Sequence, residues 1–166
     1  MNIGAHIPSK NAIDEITYRK GGTFQIFISS PQMWKSPKPR EDIEVLQDFK
    51  GNIYVHAPYL INVATPNNKV RHPSRKLLKD TCKVAATFGA KGVIVHGGSV
   101  GEGGDIGQGY ENWGKAIKEV ENSEILFFMF SQSYTYKGVP YSDEISNKEK
   151  SFIKATPSSN FRFSGK

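Results

Sequence analysis

Residues 54–62 read YVHAPYLIN: a short apolar run closes on His56, and Pro58 turns the chain into a Tyr-Leu pair. The pattern returns at residues 93–99, VIVHGGS, where a second apolar run closes on His96 and glycines follow. Both runs are too short for helices and are bounded by turn-forming residues, so each reads as a core strand. Near-continuous apolar strands of this kind belong to parallel sheets covered by helices.

Working outward, strands and helix-period segments alternate. A strand is expected over residues 2–7, then a helix over 11–20 with Ile13 and Ile16 on one face, and Gly21-Gly22 breaks the chain before a strand at 23–28. The proline-rich loop SSPQMWKSPKPR leads to a helix carrying Ile43, Leu46 and Phe49, and a strand over 52–56 follows. Residues 60–72 read as loop, with Pro73 in the first turn of a helix, where its missing N–H costs nothing. That helix presents Leu77, Thr81, Val84, Ala85 and Phe88, and Gly89 is its expected stop. A strand over 92–96, a glycine-rich loop over 97–109, a helix with Trp113, Ala116, Ile117 and Val120, and a strand opening at 125–130 complete the pattern. The alternation predicts an α/β chain: a partial (β/α) barrel of about five βα units over residues 1–126. Residues 127–166 are predicted to be a basic, weakly ordered, irregular tail; from Ser131 they hold eight serines and keep no sustained period.

The 166 residues suffice for one domain with a real core. They are too few for a complete eight-unit barrel, which typically takes ~250. Lysine and arginine total 22 against 16 acidic residues, a net charge of +6 that suits a polyanionic partner. Residues 131–166 contribute six of the basic and three of the acidic residues, so half of the excess lies there. Cys82 is the single cysteine and is expected as a small buried helix residue, not a nucleophile; no intramolecular disulfide can form. That usage fits a reducing, intracellular (cytoplasmic) compartment. The opening residues MNIGAHIPSKNA do not read as a secretory leader, and the longest apolar stretch, 125–130, is too short to span a bilayer. No membrane partner is expected.

In parallel α/β sheets, functional groups gather at the carboxyl ends of the strands. His56 and His96 occupy that position in successive units, and neutral imidazole is a frequent zinc ligand. The alternative is that each is a satisfied histidine at a strand end. His6, ending the first strand, is a further candidate, whereas His72 is expected as a cap or surface residue. Tyr59 and Leu60 could wedge between stacked bases as apolar side chains of DNA-bending proteins do, or pack under their own loop.

The segments IGAHI (3–7), FQIFISSPQMW (24–34), VHAPYLIN (55–62) and VIVHGGS (93–99), in this order and spacing, resemble the N-terminal half of the endonuclease IV family. These are the zinc-dependent apurinic/apyrimidinic endonucleases of base-excision repair. The resemblance covers roughly residues 1–126 and implies a TIM barrel with a trinuclear zinc cluster, His56 and His96 being two of its ligands. It implies that Tyr59 and Leu60 enter double-stranded DNA at an abasic site, with Gln32 at a DNA-contacting position. It also implies hydrolysis of the phosphodiester 5′ to that site, leaving a 3′-hydroxyl and a 5′-deoxyribose phosphate.

The chain departs from the family pattern in four places. Phe127-Phe128-Met129-Phe130 stands where the family carries a glutamate in a Glu-Asn-Thr-Ala-Gly-like segment, and no histidine follows His96. Gln32 stands where an arginine is usual, and HGGS replaces HPGS. The expectation is a truncated copy whose sequence from about Phe127 has the abruptness of a reading-frame change. Such a copy would be inactive alone, with the missing half supplied by a separate chain. Two alternatives stand beside it: a non-catalytic DNA-binding remnant, and a barrel of the sugar isomerase or epimerase kind.

Overall fold

Apolar side chains at alternate positions of the central strands decide which face of the sheet is buried. A computed structural model describes residues 3–120 and the strand Leu126–Phe130. Its strands are β1 (Gly4–His6), β2 (Thr23–Phe27), β3 (Asn52–His56), β4 (Gly92–His96) and β5 (Leu126–Phe130). The helices α1 (Ala12–Tyr18), α2 (Ile43–Gln47), α3 (Asn68–Thr87) and α4 (Ile106–Lys118) connect them in turn. All four strand pairings are parallel, in the order β1-β2-β3-β4-β5. This is the predicted partial barrel.

Phe24 aligns with Ile53, and Ile26 with Val55 and Val93, in rows across the sheet. These side chains are buried in one cluster with Ile16 of α1, Leu46 of α2, Leu77, Leu78, Cys82 and Ala85 of α3, and Trp113, Ala116 and Ile117 of α4. Because side chains alternate across a strand, the intervening residues fall on the opposite face. Those are His6, Gln25, Phe27, Tyr54, His56, Ile94 and His96, several of them only partly buried. An open depression of about 270 Å³ on this face is lined by His6, Gln25, Tyr54 and Ile94. Cys82 is fully buried and burial pushes its thiol pKa far up, as expected of a packing residue.

Two helix starts differ from the sequence reading. The Asn67 side chain accepts from Lys69 N at 3.0 Å, so α3 begins at Asn68 and not at Pro73. Pro73 therefore lies inside the helix and His72 is an exposed helical residue, neither a cap nor part of a loop. Similarly, Asp105 accepts from Gly107 N at 2.8 Å, so α4 starts at Ile106 and absorbs two glycines expected in the loop. Gly109 is buried there, and a Cβ built on it would come within 2.7 Å of Val100 Cγ1. Gly89, with φ +71°, ends α3 as expected. The predicted tail is described only through Phe130, where its first residues form β5; residues 131–166 lie outside the described residues.

Arg40 fixes the loops at the β1–β2 end. Its guanidinium donates to the Ser9 carbonyl at 2.9 Å and to both Asp42 carboxylate oxygens at 2.7 and 2.6 Å. The Arg40 hydrogen bond holds the Asp42 carboxyl below the usual carboxylate range.

Two substitutions test this packing by urea denaturation. Leu78→Ala is expected to lower stability by about 2–5 kcal/mol, the usual result of emptying a core site. Arg40→Met is expected to be less stable than the parent at neutral pH. Asp42's lowered folded pKa gives stability present above its unfolded value and lost as pH falls, so the difference narrows below about pH 4 to the part that the Ser9 contacts supply. A constant difference between pH 7 and pH 3 would contradict the ion-pair assignment.

Candidate metal and nucleic-acid site

β3 and β4 are adjacent and parallel, so the histidines that end them share one rim. The His56 and His96 ring centroids lie 5.2 Å apart. His56 is buried, and its Nδ1 lies 2.7 Å from the Ala57 carbonyl oxygen. An Nδ1–H donated to that carbonyl leaves the Nε2 lone pair as the coordinating position. Desolvation by burial lowers the His56 pKa; the Ala57 hydrogen bond opposes this, and the charges of His96 and His6 add to it. The imidazole therefore stays neutral, the form a metal requires, in more acidic solution than a free one does.

Phe27, at the same rim of β2, packs against His56 at 4.9 Å and His6 at 5.0 Å between ring centroids. His6 is exposed, bonds Gln25 at 2.7 Å, and is separated from the histidine pair by the Phe27 ring. Tyr59 closes the cluster: its ring lies 5.2 Å from His56, 5.4 Å from Phe27 and 5.7 Å from His96, yet the residue is 54% exposed. Leu60 is half-buried beside it. Tyr59 N donates to the Pro31 carbonyl at 2.9 Å, which sets the exposed Gln32 next to the Tyr59 loop.

Among the described residues, no group of three or more His, Cys, Asp or Glu side chains is placed to hold a metal ion. A three-ion cluster therefore does not fit them. The His56–His96 pair fits half of one tetrahedral shell, since zinc takes four ligands at structural sites and three protein ligands plus water at catalytic ones. An open cleft of about 660 Å³ lies between the β1–α1 and β2–α2 loops, lined by Lys10, Lys35, Lys38 and Arg40 among others. Its lysines present positive charge beside the Gln32 segment.

Several contributors escape a reading of the sequence. Phe27 is detectable only through its register with His56. Asn62 sits within the quoted motif, but its side chain reaches across to Ser99, 37 residues away. Trp113 lies in the core, as expected, and its indole N–H also donates to the Gly97 carbonyl at 2.7 Å. At the HGGS departure, nothing lies within 4 Å of a Cβ built on Gly97, so a bulkier residue fits there. Gly98 has φ +76° and a Cβ there would overlap the Asn62 amide, so glycine is required.

Comparison with known proteins bears on the family and the fold. Residues 22–125 match the family model described as xylose isomerase-like TIM barrel. "Probable endonuclease 4" of Mycobacterium marinum is 47% identical over 121 residues, 73% of this chain and 48% of the relative. The chain thus spans about half the length of the curated relatives it matches. Endonuclease IV from Thermus thermophilus superposes with a TM-score of 0.71 at 22% identity, over 95% of this chain and 60% of that one. A D-tagatose 3-epimerase-like protein does so with 0.70 at 17% identity, over 96% and 62%. The two structures establish only the fold; the likeness of sequence is to endonuclease 4. The chain belongs to the xylose isomerase-like TIM barrel family.

Proposed function

We propose that this chain is the DNA-probing part of an endonuclease IV-type apurinic/apyrimidinic endonuclease, acting on double-stranded DNA at abasic sites in base-excision repair. The observation that carries the reading is Tyr59: a half-exposed aromatic ring seated directly on the His56–His96 pair. One loop thereby joins a side chain able to enter a duplex to the side chains able to hold a metal. An abasic nucleotide has no base to unstack, so exposing it takes little energy, and Tyr59 with Leu60 can fill the gap. Gln32 lies within reach of the same strand region, and Lys10, Lys35 and Lys38 supply counter-charge for phosphates. The fold is shared with sugar epimerases at nearly equal similarity. The YLIN loop and its 47% identical setting favour DNA over a sugar.

In this reading His56 and His96 would hold a zinc ion, the Nε2 of His56 being the nitrogen left free by its Ala57 hydrogen bond. Bound zinc would supply a hydroxide at neutral pH and neutralise charge on the attacked phosphate. The described residues do not complete that centre. Hydrolysis 5′ to the abasic site is therefore assigned to an assembly in which a separate chain contributes further βα units and carboxylate ligands. The βα units through β5 are the barrel part of this arrangement, and the basic residues after it add to its attraction for DNA. A DNA substrate and a buried reduced thiol fit a cytoplasmic site of action.

Fluorescence anisotropy with duplexes that carry or lack a tetrahydrofuran abasic analogue tests the DNA assignment. Affinity is expected to fall steeply with salt and to favour the abasic duplex by about tenfold, or 1.4 kcal/mol. Tyr59→Ala should erase that preference without removing binding; equal affinity of the parent for both duplexes would overturn the wedge. Zinc titration should show one site, lost in His56→Ala and in His96→Ala. The pure chain with saturating zinc should leave abasic DNA uncut, and efficient incision would refute the incomplete centre.

A further inference from the structure

The glycine-rich segment after His96 has little intrinsic order, since each glycine gives up much conformational freedom when fixed. It is nevertheless held at two points. Trp113 Nε1 donates to the Gly97 carbonyl at 2.7 Å. Two residues on, the Asn62 side chain pairs with the Ser99 peptide: Nδ2 donates to Ser99 O at 2.9 Å, and Oδ1 accepts from Ser99 N at 3.0 Å. The same Oδ1 accepts from Thr65 N at 3.1 Å, and Asn62 N donates at 2.9 Å to Ser74 Oγ, a fully buried hydroxyl on α3. An amide matched to the N–H and C=O of one residue acts like a one-residue strand pairing. It can form only because Gly98, with φ +76°, lets the backbone approach where any Cβ would overlap the amide.

We propose that Asn62 is the positioning residue of His96: it ties the loop after His96 to the loop after His56, and so holds the two imidazoles and Tyr59 in one arrangement. Asn62 makes no hydrogen bond to either ring; it acts through the backbone that leaves β4. The consequence for metal affinity rests on the function proposed above, whereas the positioning itself does not. Loss of a group that orients a metal ligand typically costs 10–100-fold in affinity.

Histidine ring NMR on the full chain, with its four histidines, reads the positioning directly. Asn62→Ala and Gly98→Ala are expected to move the His96 ring resonances toward free-imidazole positions and to leave His72, exposed on α3, unmoved. Gly97→Ala, at a site with open space, should leave His96 where it is. Should Asn62→Ala fail to fold, Asn62→Asp keeps the acceptor and loses the donor to Ser99 O, and an intermediate displacement is expected. A His96 ring unmoved in Gly98→Ala and in either folded Asn62 variant overturns the proposal. In a parallel zinc titration, Asn62→Ala should weaken binding 10–100-fold. If His96→Ala itself leaves zinc binding intact, the metal reading fails, and the ring resonances alone decide the role of Asn62.

Discussion

Burial of Ile26, Val55 and Val93 in a single row fixes the register of the three central strands, and with it everything at their carboxyl rim. Side chains alternate with a period of two, so slipping β3 by one residue would send Val55 to the open face and His56 into the helices. The apolar cost of exposing even one such side chain, about 1.5–3 kcal/mol, exceeds what any single contact in the rim cluster could repay. The histidine pair is therefore placed by hydrophobic packing on the other side of the sheet. Polar chemistry at the rim inherits its geometry from a layer it does not touch.

Strand positions are legible in the sequence because each strand is a short apolar run bounded by Gly, Pro or Asn, and β3 and β4 fall within their expected bounds. Helix starts are less so. Asn67 and Asp105 are ordinary polar residues in sequence and become caps only once the backbone places their oxygens over the first turn. Pro73 suggests a helix start on its own statistics, and an upstream cap outweighs it. At the rim, His56, His96 and Tyr59 announce themselves by their place at strand ends. Phe27 and Asn62 do not, because what matters is the register of Phe27 with His56, 29 residues on, and the pairing of Asn62 with Ser99, 37 residues on. Sequence spacing carries no trace of such pairings; register and loop closure create them.

The arrangement of Tyr59 sets a limit on how the rim can be used. Its ring lies over both imidazoles and against Phe27, so it shields the pair from water on one side while half its surface remains outside. A ring in that position and a ring between base pairs are two different places for one side chain. Under the function proposed above, engagement of a duplex and access to the imidazoles would be linked through a single rotatable group. The loop that carries it is anchored to Pro31 through Tyr59 N and to Ser99 through the Asn62 side chain.

Trp113 draws the core and the rim into one mechanical unit. Its indole is buried among the helices, and its single N–H closes on the carbonyl that follows His96. Any motion that swings this carbonyl away must either strand a buried donor or shift a large ring out of close packing. The softness of the rim is therefore capped by the stiffness of the interior. Evolution toward a more pliable loop here would have to begin in the hydrophobic layer, at Trp113.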